Sequence, residues 1–177
     1  PADWGTVVCS ADGARLAAVI HDKVPSPIYL STNAGATWTT NGTPNQVWGS
    51  IACSADGNTL LASVASYSGT NVLFFSTNAG ANWDLVPTAP KLGSLASSAD
   101  GRKWIAAAGY GGIYSSTNTG ITWMSNNVPS GFWKAVTSSA DGTKLLAIMS
   151  PNVASYAYRI YASRDAGATW ALTSAPG

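Results

Sequence analysis

The sequence predicts an all-β fold, a β-propeller built from four four-stranded blades. Three observations predict it: an internal repeat of about 44 residues, a turn-rich composition without glutamate, and short apolar segments of strand length inside every repeat. The repeat is carried first by Ser10-Ala11-Asp12-Gly13, which recurs as Ser54-Ala55-Asp56-Gly57, Ser98-Ala99-Asp100-Gly101 and Ser139-Ala140-Asp141-Gly142, at Asp-to-Asp intervals of 44, 44 and 41 residues. A second motif follows each copy. It reads Ser31-Thr-Asn-Ala-Gly-Ala-Thr-Trp38, Ser76-Thr-Asn-Ala-Gly-Ala-Asn-Trp83, Ser116-Thr-Asn-Thr-Gly-Ile-Thr-Trp123 and Ser163-Arg-Asp-Ala-Gly-Ala-Thr-Trp170. Four units account for nearly all of the 177 residues, so the chain is expected to be one domain, 1–177, with blades at approximately 1–44, 45–88, 89–129 and 130–177.

Composition agrees. There are 18 Gly, 9 Pro and 8 Trp, and every one of the 8 acidic residues is Asp, so the strong helix former Glu is missing and turns and strands are favoured. Nine basic residues leave a formal net charge of +1, with only 10% of residues charged. That balance gives no electrostatic footprint for nucleic acid or an anionic membrane surface. No apolar run approaches the roughly 18 residues of a membrane-spanning helix. Low charge, polar composition and the absence of a leader in this chain leave the location open, with a secreted or extracellular setting favoured. Cys9 and Cys53 are too few for a disulfide scaffold and match no zinc spacing, so buried thiols are expected and no metal or cofactor is.

Within a unit, strand a is expected to start at Trp4, Trp48, Leu92 or Trp133 and to run into the Asp-Gly turn. Strand b carries a large residue (Leu16, Leu60, Trp104, Leu145) and, two positions on and therefore on the same face, an alanine (Ala18, Ala62, Ala106, Ala147). Strand c repeats an apolar–aromatic pair: Ile28-Tyr29, Leu73-Phe74, Ile113-Tyr114 and Ile160-Tyr161. Strand d begins at the Trp that closes the second motif.

The Ser-x-[Asp/Asn]-x-Gly-x-[Thr/Asn]-Trp pattern resembles the Asp-box of the bacterial neuraminidase repeat. The four units together resemble the sialidase-like Asp-box β-propeller superfamily over essentially the whole chain. The resemblance implies that each box is a c-to-d turn, in which Asn33, Asn78, Asn118 or Asp165 ties down local amides while Trp38, Trp83, Trp123 or Trp170 packs on the sheet. Three boxes carry Asn where that family usually has Asp, and only Asp165 keeps the acid. Asn still accepts the same hydrogen bonds, so the turn survives without the charge.

Both motifs repeat, and repetition marks them as structural. The b-to-c and d-to-a loops fall on the opposite rim and vary in length and content, which is where binding usually resides on a fixed scaffold. Candidate ligand contacts there are Tyr67, Tyr110, Tyr156 and Tyr158. Trp48 and Trp133, at the start of strand a, are candidate stacking platforms, with wedging between blades as their structural alternative. His21, Asp22, Lys23 and Arg159 share those loops.

The resemblance implies that a sialidase would need an arginine triad, a Tyr–Glu pair and an acid, and a xyloglucan-degrading relative two opposed carboxylates. This chain has no Glu, and only Asp3 and Asp22 are expected near the loop rim. The expectation is therefore a non-enzymatic binding module. A carbohydrate-binding, lectin-like protein leads, a protein-interaction or structural scaffold is the alternative, and a glycoside hydrolase-related enzyme comes third. Expected partners are glycans or another protein, and a second copy of the chain. Four blades left as an open arc would expose two apolar faces, and two arcs joined head to tail would make an eight-bladed homodimer. A closed four-bladed monomer and a piece of a longer propeller are the alternatives.

Overall fold

A computed structural model describes residues 2–21, 23–40, 42–43, 45–65, 72–86, 90–150 and 157–174. Blade 1 comprises β1 (Trp4–Cys9), β2 (Leu16–Ile20), β3 (Tyr29–Ser31) and β4 (Thr39–Thr40); blade 2 comprises β5 (Trp48–Cys53), β6 (Leu60–Val64), β7 (Leu73–Ser76) and β8 (Asp84–Val86). Blade 3 has β9 (Leu95–Ser97), β10 (Trp104–Ala107), then a short β11 (Gly109–Gly111), β12 (Ile113–Ser116) and β13 (Met124–Ser125). Blade 4 has β14 (Gly131–Ser138), β15 (Leu145–Met149), β16 (Arg159–Ser163) and β17 (Ala171–Leu172), and β11 joins it as a fifth strand on the inner edge of β14. All pairings are antiparallel, and apart from the β11–β14 crossing each blade is the four-stranded meander that the repeat predicts.

The two repeated motifs close the hairpins by side-chain chemistry. In the first, the Ser10 hydroxyl accepts the Arg15 amide at 3.0 Å and donates to Asp12 at 2.5 Å, while Asp12 accepts the Ala14 amide at 3.0 Å. Gly13 sits at φ 71°, where a Cβ would be strained. The same set is built at Ser54/Asp56, Ser98/Asp100 and Ser139/Asp141.

In the second motif, Asn33 Oδ1 accepts the Ser31 hydroxyl and the Thr37 amide, both at 2.9 Å, and the Gly35 amide donates to the Ser31 hydroxyl at 2.9 Å. Asn78, Asn118 and Asp165 repeat this geometry. Ala34, Ala79, Thr119 and Ala166 take the left-handed conformation there, which costs a non-glycine residue roughly 1–2 kcal/mol. Each is held by its own amide donating to the neighbouring turn, as from Ala34 to Ala14 and from Ala79 to Asn58. Those bonds put the two motifs of a blade side by side on one rim.

Adjacent blades pack sheet on sheet through three apolar clusters, one per junction. A ladder of main-chain bonds runs along the motif rim: the Ala11 amide donates to Ala55, Ala55 to Ala99 and Ala99 to Ala140, at 2.7, 2.9 and 2.7 Å. Blade 4 does not return to cover blade 1. Trp4 and Val7 on blade 1 are 57% and 62% exposed, and Leu146 on blade 4 is 45% exposed. The four blades form an arc.

Three expectations need correction. Strand a of blade 3 starts at Leu95 and not at Leu92, and that of blade 4 starts earlier, at Gly131. Strand d begins one residue after the Trp, because the indole is part of the turn: Trp83, Trp123 and Trp170 donate from Nε1 to the carbonyls of Gly80, Gly120 and Gly167. The thiols are not both buried. Cys9 is exposed on the uncovered face of blade 1, whereas Cys53, at the matched place in blade 2, is half-buried and its pKa is pushed up to about 11, mainly by that burial.

Candidate functional site

On the rim opposite the two motifs, the ends of the b strands and the starts of the a strands surround a cleft of about 530 Å³ on the inner side of the arc. Its lining comes from all four blades: His21 at the end of β2, Trp48 and Ala65 from blade 2, Lys91 and Tyr110 from blade 3, and Phe132 from blade 4. The cleft shares His21, Gly49, Gly93, Gly109 and Phe132 with a groove along the inner strands, whose lining includes Thr6, Ser50, Ser94 and Lys134.

Each side chain is placed by a local reason. The His21 amide donates to the Asp3 carbonyl at 2.9 Å, its ring lies 3.3 Å from the Thr6 hydroxyl, and it occupies the space that a side chain at residue 5 would need, so Gly5 is required there. In three of the blades a bulge interrupts the start of strand a, between Trp4 and Thr6, Trp48 and Ser50, and Trp133 and Ala135. A bulge of this kind bends the strand and re-aims the side chains beside it.

Trp48 and Trp133 are 1% exposed, each locked edge-on against the aromatic of strand c, with ring centroids 5.6 Å apart for Trp48–Phe74 and 5.2 Å for Trp133–Tyr161. Their Nε1 groups donate to the carbonyls of Ser26 and Pro129. The stacking-platform role is thereby corrected. Both are wedges between blades, bordering the cleft and its groove with almost no surface open to solvent.

Tyr110 is 87% exposed at the cleft mouth. It lies on β11, paired with Phe132 of β14, so the two side chains leave the same face of the sheet and both line the cleft. Gly109, at φ 59°, and Gly111, at φ 145°, let the chain leave β10 and cross to the next blade. Lys134 places its ammonium 5.6 Å from the Phe132 ring centre. Phe132, Lys91 and Lys134 were not singled out by sequence reasoning. The Gly109-Tyr110-Gly111-Gly112 run was the available signal, since glycines flanking an aromatic mark a tight crossing.

Tyr158 is exposed in the b-to-c connection of blade 4 and is not part of the cleft lining. Tyr67, Tyr156 and Asp22 lie outside the described residues. Among the described residues no group of three His, Cys, Asp or Glu side chains is placed to hold a metal ion. The acidic side chains on the motif rim are absorbed by their turns: Asp165 is held down to about 2, first by the Thr169 hydroxyl and amide and then by Ser163, and Asp141 is lowered by Ser139 and Thr143.

No protein-family model and no curated protein matches the chain. Solved structures do. The chain is similar to a GH74 xyloglucanase from Xanthomonas campestris (TM-score 0.71, 21% identity, 97% of this chain and 30% of that one). It is also similar to YCF48 in a complex with a D1 peptide (0.66, 14%, 99% and 54%), and to a chain of a nidogen/laminin complex (0.70, 11%, 97% and 64%). The chain therefore spans between about a third and two thirds of the length of these structures, at identities that speak to fold alone. With its four antiparallel sheets joined face to face, the chain has a β-propeller fold.

Proposed function

We propose that the chain is a non-enzymatic propeller module of the Asp-box kind that binds one extended ligand in the cleft between Tyr110, Phe132, His21 and Lys91. The observation that carries this reading is the pairing of β11 with β14. It uses three residues, two of them glycines at positive φ, to present a tyrosine that is almost wholly exposed. A flat ring with a hydroxyl, on the same sheet face as a phenyl ring, suits the C–H face of a sugar, and His21, Lys91 and Lys134 supply donors at its margin. A glycan chain is the leading ligand, and acidic sugars fit best because the described lining carries cations and no carboxylate.

A second reading, an extended peptide, is favoured by the asymmetry of the site. One composite cleft drawn from four blades is not the set of equivalent pockets that a repeat lectin would show. A glycan array followed by titration of the best hit tests the proposal. Tyr110→Ser should weaken the hit at least tenfold while leaving the fold intact. An empty array combined with peptide binding sensitive to Tyr110→Ser would select the second reading, and binding unaffected by Tyr110→Ser would remove the cleft from consideration.

A further inference from the structure

Each blade has a front face toward the blade before it and a rear face toward the blade after it, and the same positions make all three junctions. On the rear, Ala17, Leu61 and Ile105 are at most 2% exposed beneath the next blade, and the matching residue of blade 4 is the half-exposed Leu146. Ile28, Leu73 and Ile113 are likewise buried, with Ile160 only half-buried. On the front, Ile51 and Leu95 are buried against the preceding blade, and their counterpart Val7 is open to water.

The edge-on aromatic pair of the front face is already assembled on blade 1, with Trp4 and Tyr29 centroids 5.0 Å apart. It borders a hollow of about 580 Å³ floored by Ala18 and walled by Trp38. In blades 2 and 4 the same pair is sealed by a neighbouring sheet.

The motif rim tells the same story in polar groups. Gly57 and Gly142 are covered by Arg15 and Lys103 of the preceding blade, and Gly101 by Thr59, whereas the space over Gly13 is empty. Arg15 and Lys103 also donate to the carbonyls of Asp56 and Asp141, and Lys144 projects from the same place on blade 4 into solvent. In the main-chain ladder, the Ala140 amide and the Ala11 carbonyl have no partner among the described residues.

We propose that the front of blade 1 and the rear of blade 4 are docking surfaces for each other in a second copy of the chain. The occupant is identified by the three internal junctions: a front face of this repeat is covered by the rear face of another blade of the repeat, and this chain leaves one of each uncovered. In the assembly the Ala140 amide of one copy donates to the Ala11 carbonyl of the other, Lys144 lies over Gly13, and Leu146 enters the hollow beside Trp4 and Tyr29. The contact is heterologous and occurs twice, so two arcs close into an eight-bladed ring around a two-fold axis. This inference stands independently of what the cleft binds.

Light scattering tests it. The wild-type chain should weigh about 36 kDa, twice its 18.1 kDa, because both contacts close at once. Val7→Asp and Leu146→Asp each put a charge on a face that no intramolecular core uses, so each should keep the far-ultraviolet spectrum and run as a monomer. An equimolar mixture of the two at high concentration should regain the dimer mass, since the intact rear of one variant meets the intact front of the other. A monomeric wild type, a dimer that survives either substitution, a mixture that stays monomeric, or growth beyond two copies would each overturn the proposal.

Discussion

The front face of blade 1 and the front face of blade 2 are nearly the same surface in opposite surroundings. Each has a Trp at the start of strand a, a β-branched residue three positions on, an alanine on strand b and an aromatic on strand c, in matching register. Trp48 is buried and Trp4 is not. The difference teaches that the register and the aromatic pair belong to the blade itself, built by its own bulge and hairpins, while burial belongs to the junction. A repeat blade is a surface finished in shape and unfinished in solvation, which is the usual condition of repeat units that bury their apolar faces only by stacking.

The largest expected effect separates the two tryptophans. Trp48→Ala should destabilise the fold by about 3–5 kcal/mol, as for a large aromatic removed from a core. Trp4→Ala, placed in the Leu146→Asp background so that assembly does not contribute, should cost less than about 1 kcal/mol in denaturant melts. Equal losses would mean that the front of blade 1 is covered within the chain.

A smaller contrast lies on the motif rim. Gly13 and Gly57 share a positive φ, so alanine at either costs about 1–2 kcal/mol in backbone strain. At Gly57 the new methyl also meets the Arg15 side chain and Ser10, whereas at Gly13 it meets nothing, so Gly57→Ala should be the more damaging of the two in the same background.

The boxes give a contrast in charge. Asp165 accepts the serine hydroxyl and the box amide that Asn33, Asn78 and Asn118 also accept, and in addition accepts the Thr169 hydroxyl, where Asn33 and Asn118 donate from Nδ2 to their threonines; that added bond leads in holding its carboxylate near 2. The first-motif aspartates Asp12, Asp56, Asp100 and Asp141 are lowered as well, each led by the hydroxyl of the serine two residues before it. Folded values below the ordinary carboxylate range mean stability that is complete above about pH 4 and is lost as pH falls towards 2. Calorimetry from pH 6 to pH 2 should show a flat Tm followed by a fall in that window, shallower in Asp165→Asn. The smallest effect is expected of Asn78→Asp: a stability change within about 0.5 kcal/mol at neutral pH and unchanged ligand binding. Lost binding in that variant would make the box a site.

Much of the fold was legible because the repeat writes its turns in side chains. Ser10 and Asp12, or Ser31 and Asn33, organise only residues within a few positions of themselves, and local chemistry of that kind survives in the linear sequence. The count of four units left an open arc and a closed ring as alternatives, and the exposure of Trp4, Val7 and Leu146 decides for the arc. The cleft was less legible. Tyr110 reads as a loop residue, and its strand exists only because β14, some twenty residues later and in the next blade, accepts it. Phe132 gave no signal because its partner is set by that crossing. Trp48 and Trp133 read as wedges between blades as well as platforms, and the choice turns on a bulge whose extra residue is Gly49 in blade 2, a glycine that signals it, and Lys134 in blade 4, which does not.

The central claim is that the two uncovered faces of the arc are halves of one junction. Amide hydrogen exchange at the four ladder alanines tests it most directly, read in the wild type and in Leu146→Asp. Ala11, Ala55 and Ala99 donate within the chain and should be protected in both. Ala140 should be protected in the wild type and exchange freely in Leu146→Asp. An Ala140 amide that exchanges alike in the two proteins, whether fast or slow, would contradict the account.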